Sequence, residues 1–147
     1  MRKQALRAAV ICAAIAVASA GPAWADDPPT DDIYVLEGEY TYSDANTTRS
    51  WHATPCGSCC ADIEAPPVGG MPGFSGQAQN FRGWTLTLEN VPDLVACRDG
   101  SSAAGNINYR WRPGETNGSG STWTTVQTCG EPPKAYETFD FTLTKVS

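Results

Sequence analysis

Hydrophobic and polar positions alternate with a period of two along most of the chain. Tyr34, Leu36, Gly38, Tyr40 and Tyr42 fall on one face, and Val35, Glu37, Glu39 and Thr41 on the other. This describes a strand with a largely aromatic side. Ser43 to Thr47 has turn composition. Arg49 to Thr54 reads as a returning strand that stops at Pro55-Cys56-Gly57, and Cys60 to Glu64 as a short third strand. Pro66 to Gly73 is a loop by its prolines and glycines, and Phe74 to Gln79 a fourth strand. Trp84, Leu86 and Leu88 alternate with Thr85, Thr87 and Glu89, and Ile107, Tyr109 and Trp111 with Asn108, Arg110 and Arg112. Between them, Asn90 to Ala104 carries Cys97 and the turn Asp99-Gly100. Pro113 to Gly120 reads as a flexible turn, Ser121 to Thr128 as a strand, Cys129 to Pro133 as a loop, and Phe139, Phe141 and Leu143 as the inner face of a last strand. No stretch beyond residue 25 repeats every 3.6 residues. The expected fold is all-β, an antiparallel barrel or sandwich of about eight short strands.

The first 25 residues have another logic. Arg2, Lys3 and Arg7 precede an uncharged apolar run, Ala8 to Ala20, and Ala23-Trp24-Ala25 has the form of a cleavage site. That is a signal peptide, with a cut after Ala20 as the alternative. The apolar run is too short to span a membrane, and no later one is longer. Residues 26–32 form an acidic, proline-containing linker, and 33–147 a single β domain. The three basic residues leave with the leader and no acid does, so the net charge of −6 becomes −9 in the mature chain. So acidic a surface argues against nucleic acid or anionic lipid as partner.

Cys12 is lost with the leader, leaving Cys56, Cys59, Cys60, Cys97 and Cys129. In an exported chain these read as disulfides with one cysteine over. A zinc site would want a second close pair, which Cys97 and Cys129 do not form. A thioredoxin-type use of Cys56-x-x-Cys59 would want a following helix, which Pro66 and Pro67 forbid. His52, the one histidine, alternates with Trp51 and Ala53 and so points to the polar side. With Cys59 it forms the one nucleophile pair that the composition allows. Asp62, Glu64, Glu89, Asp93 and Asp99 supply mid-chain carboxylates for a glycoside-type hydrolase. Arg49, Arg82, Arg110 and Arg112 are expected on polar faces. Nothing calls for a cofactor or a metal. Trp51, Trp84, Trp111 and Trp123 are the aromatics expected to pack a core or to meet a ligand.

The ordered set Gly38-x-Tyr40-Thr41, Trp51-x-x-Thr54-Pro55-Cys56-Gly57-x-x-Cys60, Phe74-x-Gly76-x-Ala78, Gly83-Trp84-Thr85, Cys97-x-Asp99-Gly100, Tyr109-x-Trp111, Cys129-Gly130-x-Pro132 and Phe141-Thr142-Leu143-Thr144-Lys145-Val146 resembles small exported β-domains of mycobacteria and related actinobacteria. It is also similar to extracellular portions of some receptor-type Ser/Thr kinases there. The resemblance implies a secreted or cell-envelope location and no established activity. It implies pairing of Cys56 with Cys60 and of Cys97 with Cys129. Cys59, standing where the family has glycine, is then the free or intermolecular thiol, although its place beside Cys60 leaves either able to reach Cys56. The second half, through Gly83-Trp84-Thr85, Ile107-x-x-x-Trp111 and Trp123, is similar to avidin-type barrels. That likeness favours a meandering barrel; the first half does not share it, and no biotin-contacting residues carry over. The expected function is a non-enzymatic exported domain that binds a surface protein or an envelope glycan. The alternatives are a carrier of a small hydrophobic ligand in the barrel interior and a carboxylate hydrolase. The chain is expected to be monomeric, or a dimer through Cys59.

Overall fold

A computed structural model describes residues 35–146; the leader and the acidic linker lie outside the described residues. Eight strands follow one another: β1 (Gly38–Ser43), β2 (Thr48–Gly57), β3 (Cys60–Ala65), β4 (Phe74–Asn80), β5 (Trp84–Ala96), β6 (Ser102–Trp111), β7 (Asn117–Trp123) and β8 (Ala135–Lys145). Each pairs antiparallel with the next, and β8 returns to β1 through Tyr42 opposite Leu143, so the sheet closes as a barrel. Closure, which removes both sheet edges, decides between the barrel and the sandwich.

Alternation accounts for the interior. Trp51 and Ala53 of β2, Ala61 and Ile63 of β3, Trp84 and Leu86 of β5, Tyr109 and Trp111 of β6, and Phe141 and Leu143 of β8 are all buried. An eight-stranded barrel is just wide enough to be filled by side chains. Here aromatic rings fill it. Trp51 stacks on Tyr42 (centroids 4.9 Å apart) and meets Tyr109 edge-on at 5.1 Å, while Trp84 stacks on Trp111 at 6.3 Å.

Rings of this size need room on the facing strand. Gly118 and Gly120 lie opposite Phe141 and Phe139 on β8. A Cβ at either glycine would overlap the ring across from it. This explains why the strand begins at Asn117 inside a segment whose composition reads as a flexible turn. The strand also ends at Trp123 rather than Thr128. β5 differs from expectation as well. It continues to Ala96 through two register shifts against β6, with Asn90 (φ 52°) and Asp93 (φ 55°) in the left-handed region. Bulges break the two-residue period, so the alternation that would announce this half of the strand is absent. β2 runs past Pro55, with its irregularity placed between Pro55 and Gly57.

The barrel ends are unlike. The β2–β3, β4–β5 and β6–β7 connections make a short-turn end, where the Cys56–Cys60 disulfide staples the β2–β3 hairpin. The other end carries residues 44–47, 66–73, 97–101 and 124–134. There Cys97–Cys129 ties the β5–β6 connection to the β7–β8 connection. The 66–73 and 124–134 connections contain small two-stranded tips, Val68 against Met71 and Thr128 against Glu131. Gly69-Gly70 and Cys129-Gly130 take the positive φ angles that such turns require. Disulfides at both ends point to an oxidising compartment. No cysteine among the described residues is free. Cys59 is disulfide-bonded as well. No helix among the described residues is long and apolar enough to cross a membrane.

Candidate ligand cup at the long-loop end

Trp51, Trp84 and Trp111 occupy the middle of the barrel and its short-turn end. Toward the long loops the interior opens into a cup of about 880 Å³, within the range of small-molecule sites. Its floor is aromatic. Tyr109 touches Tyr42, Phe74 and Phe139 with centroids 5.8, 6.4 and 5.9 Å away. Leu88, Ile107, Val91 and Leu94 continue the wall upward.

One side of the wall is held by Arg49. Its phase is that of Trp51 and Ala53, so it points into the barrel, not to the polar face expected for it. One guanidinium nitrogen, Nη2, donates to the carbonyls of Pro66 (2.8 Å), Pro72 (3.2 Å) and Ala65 (3.4 Å). The guanidinium also lies over the Phe74 ring, 5.0 Å from its centroid. Arg49 thus fastens the 66–73 loop over β2. Its Nε is buried without a partner. Next to it the Tyr42 hydroxyl donates to Asp44 Oδ2 at 2.5 Å, and Asp44 Oδ1 accepts the backbone N–H groups of Asn46 and Thr47, each at 2.8 Å. Burial first, and then this bond to a carboxylate, push the Tyr42 phenol well above its ordinary pKa. Burial pushes Tyr109 up to about 12, with the Arg49 charge acting against the rise and Asp44 with it.

The opposite side is less satisfied. Thr122 on β7 sits directly between Ile107 on β6 and Glu137 on β8. Tyr109 and Thr122 are 8% and 7% exposed, and neither hydroxyl forms a hydrogen bond among the described residues. Of the hydroxyls sealed from solvent without a partner, the described residues show only that of Tyr136, so those of Tyr109 and Thr122 open onto the cup. A third side is the bulged half of β5. Asn90 N–H donates to Asn106 Oδ1 at 3.0 Å, and the Ser102 hydroxyl donates to Asp93. The β4–β5 ladder stops at Ala78 opposite Leu86. Phe74 to Gln77 therefore have β3 partners but none on β5, and the wall is parted beside Leu88.

The residues expected from sequence fall differently. Trp51, Trp84 and Trp111 are 1%, 2% and 5% exposed. They are core, shut off from a ligand by their own packing, and Trp123 is half-buried on the outward phase of β7. His52 does face outward, with Nδ1 2.7 Å from Glu39 Oε1. It stands several residues along β2 from Cys59, on the order of 15 Å by strand rise, so no nucleophile pair is assembled. Cys56 and Cys60 are spent on each other and cannot ligate zinc. Of the mid-chain acids, Glu89 and Asp93 line the cup. Asp62 accepts from Gln77 on the outside. Asp99 caps its own turn, held below the usual carboxylate range by the hydroxyl and N–H of Ser101. The cup residues that sequence reading passed over are Tyr42, Arg49, Phe74, Tyr109, Thr122 and Glu137. The available signal was phase: Arg49, Phe74, Tyr109 and Glu137 each lie an even number of positions from a core residue of their own strand.

Comparison with family models, curated proteins and solved structures finds no match for this chain.

Proposed function

We propose that this protein is an exported, non-enzymatic barrel that binds a small amphipathic ligand in the cup at its long-loop end. The observation that carries this reading is the division of the interior. Aromatic side chains fill one half to core density, while the other half is a cavity floored by rings and bordered by hydroxyls without internal partners. Unpartnered polar groups in a recess are a cost in stability, and a ligand that supplies their hydrogen bonds removes it. An apolar body would rest on Tyr109, Phe74 and Phe139, and polar ends would reach the rim. The leader sequence and the oxidising setting support export. Burial of Trp51, Trp84 and Trp111 favours the cup over the tryptophans as the ligand-contacting surface.

The test is a thermal-shift screen of the disulfide-bonded protein against metabolites, lipids and short glycans, repeated with Val91→Trp/Leu94→Trp, which fills the cup. Ligand at about 100 times its Kd should add about 2.7 kcal/mol. Hits that vanish in the filled variant are the expected result. Hits that survive it would place binding on the exterior and overturn the cup as the site.

A further inference from the structure

We infer that the ligand of the cup carries a protonated amine, seated where Glu137 and Thr122 face the cavity above the Tyr109 ring. This rests on the cup being a ligand site, and it adds the chemistry of the occupant. Glu137 shares the inward phase of Phe139 and Phe141 on β8, and Thr122 is its cross-strand partner on β7. Tyr109 lies one step deeper, opposite Gly120, which in turn faces Phe139. Glu137 and Thr122 thus present a carboxylate and a hydroxyl oxygen to the same side of the cavity, while the Tyr109 phenol, which feels the charges of Arg49 and Asp44, reaches toward β1 and β2. None of the three side chains forms a hydrogen bond or ion pair within the described residues. A carboxylate beside a hydroxyl is an acceptor-rich pair, and an ammonium group, with three N–H donors and no acceptor, matches it. The rings of Tyr109 and Phe139 beneath would add the attraction of aromatic faces for a cation.

The field around the cup has the same sign. Asp44, Glu89, Asp93 and Glu137 line it, against the single basic side chain of Arg49. Arg49 Nη2 is engaged by three backbone carbonyls and the guanidinium lies over the Phe74 ring; its charge stays on the β2 wall, where the four carboxylates outnumber it. A recess of net negative charge concentrates cations and repels carboxylates and phosphates. The preferred ligand is therefore an amine on an apolar or aromatic body.

The probes are phenethylamine, 2-phenylethanol and 3-phenylpropionate, which keep one ring and change the head group. Calorimetric titration of the disulfide-bonded protein should rank phenethylammonium at least tenfold tighter than either analogue, with affinity falling as salt is raised. Glu137→Gln, nearly isosteric and exposed, should remove most of that advantage while leaving 2-phenylethanol unchanged; Thr122→Ser should keep it. If all three probes bind equally and Val91→Trp/Leu94→Trp abolishes them, the amine assignment falls and the cup stands. If binding ignores the filled variant, or none of the probes binds at millimolar concentration, the amine assignment falls and the cup as the binding site loses its support.

Discussion

Tyr109 joins the two demands made on the barrel interior. Its ring packs against five others, those of Tyr42, Trp51, Phe74, Phe139 and Phe141, and its hydroxyl has no partner among the described residues. Tyr109→Phe should therefore raise stability at neutral pH, by up to about 1 kcal/mol as the unpartnered hydroxyl is removed, when measured by urea unfolding. Above neutral pH the two proteins should part further. A folded-state pKa raised above the unfolded value near 10 means that the stability contribution is complete below pH 10. It is lost as pH climbs toward about 12. The loss approaches about 3 kcal/mol by the two-unit difference, and Tyr109→Phe should remove that share. Tyrosinate absorbance followed against pH tests the same point: a phenol titrating at its ordinary pKa would contradict the burial described. Gly118 makes the complementary case. Valine there would place its Cβ within the Phe141 ring, and overpacking of this kind destabilises by about 1–3 kcal/mol. A Gly118→Val protein as stable as the parent would show that the ring can move aside.

At the scale of elements, what was legible depended on whether the period of two survived. β1, the first half of β5, the second half of β6 and the body of β8 alternate cleanly, and the sequence pattern locates them. β7 was half hidden. Its glycines read as a turn because their composition carries no information about the rings of β8 that require them. The far half of β5 was hidden altogether, since two bulges with left-handed Asn90 and Asp93 scramble the phase. Those bulges help to build the cup, so the irregular pattern coincides with the site. The Cys97–Cys129 bridge secures the same region. It joins positions 32 apart, and loop entropy assigns it about 3–4 kcal/mol. The Cys56–Cys60 bridge, spanning 4, is worth about 2 kcal/mol on the same basis. Replacing Cys97 and Cys129 by alanine should lower stability by the larger amount and speed amide exchange in 97–101 and 124–134 more than at the short-turn end. Equal exchange at both ends would refute this division of labour.

For the whole molecule, a meander of eight strands closes without any crossover connection, one end is plugged by tryptophan and the other is left open. The sequence pattern is sufficient for the strand number and for the all-β class. Closure into a barrel was an open choice between two architectures, because pairing of β8 with β1 brings together residues about a hundred positions apart and no local pattern encodes it. The candidate site was legible least. Its members come from seven of the eight strands, and their common feature, facing the same unfilled half of the interior, exists only after closure. Arg49 shows this well: in the sequence it is one of several arginines near acids, and in the fold it is a clamp on the mouth of the cup.

The most direct test of the cup as binding site is an amide shift map of the isotope-labelled, disulfide-bonded protein titrated with phenethylamine. Perturbations should concentrate at Thr122, Glu137, Tyr109 and the facing residues of β5, with the short-turn end around Cys56–Cys60 silent. Perturbations spread over exterior positions such as Phe81, or centred on His52 and Glu39, would contradict the account.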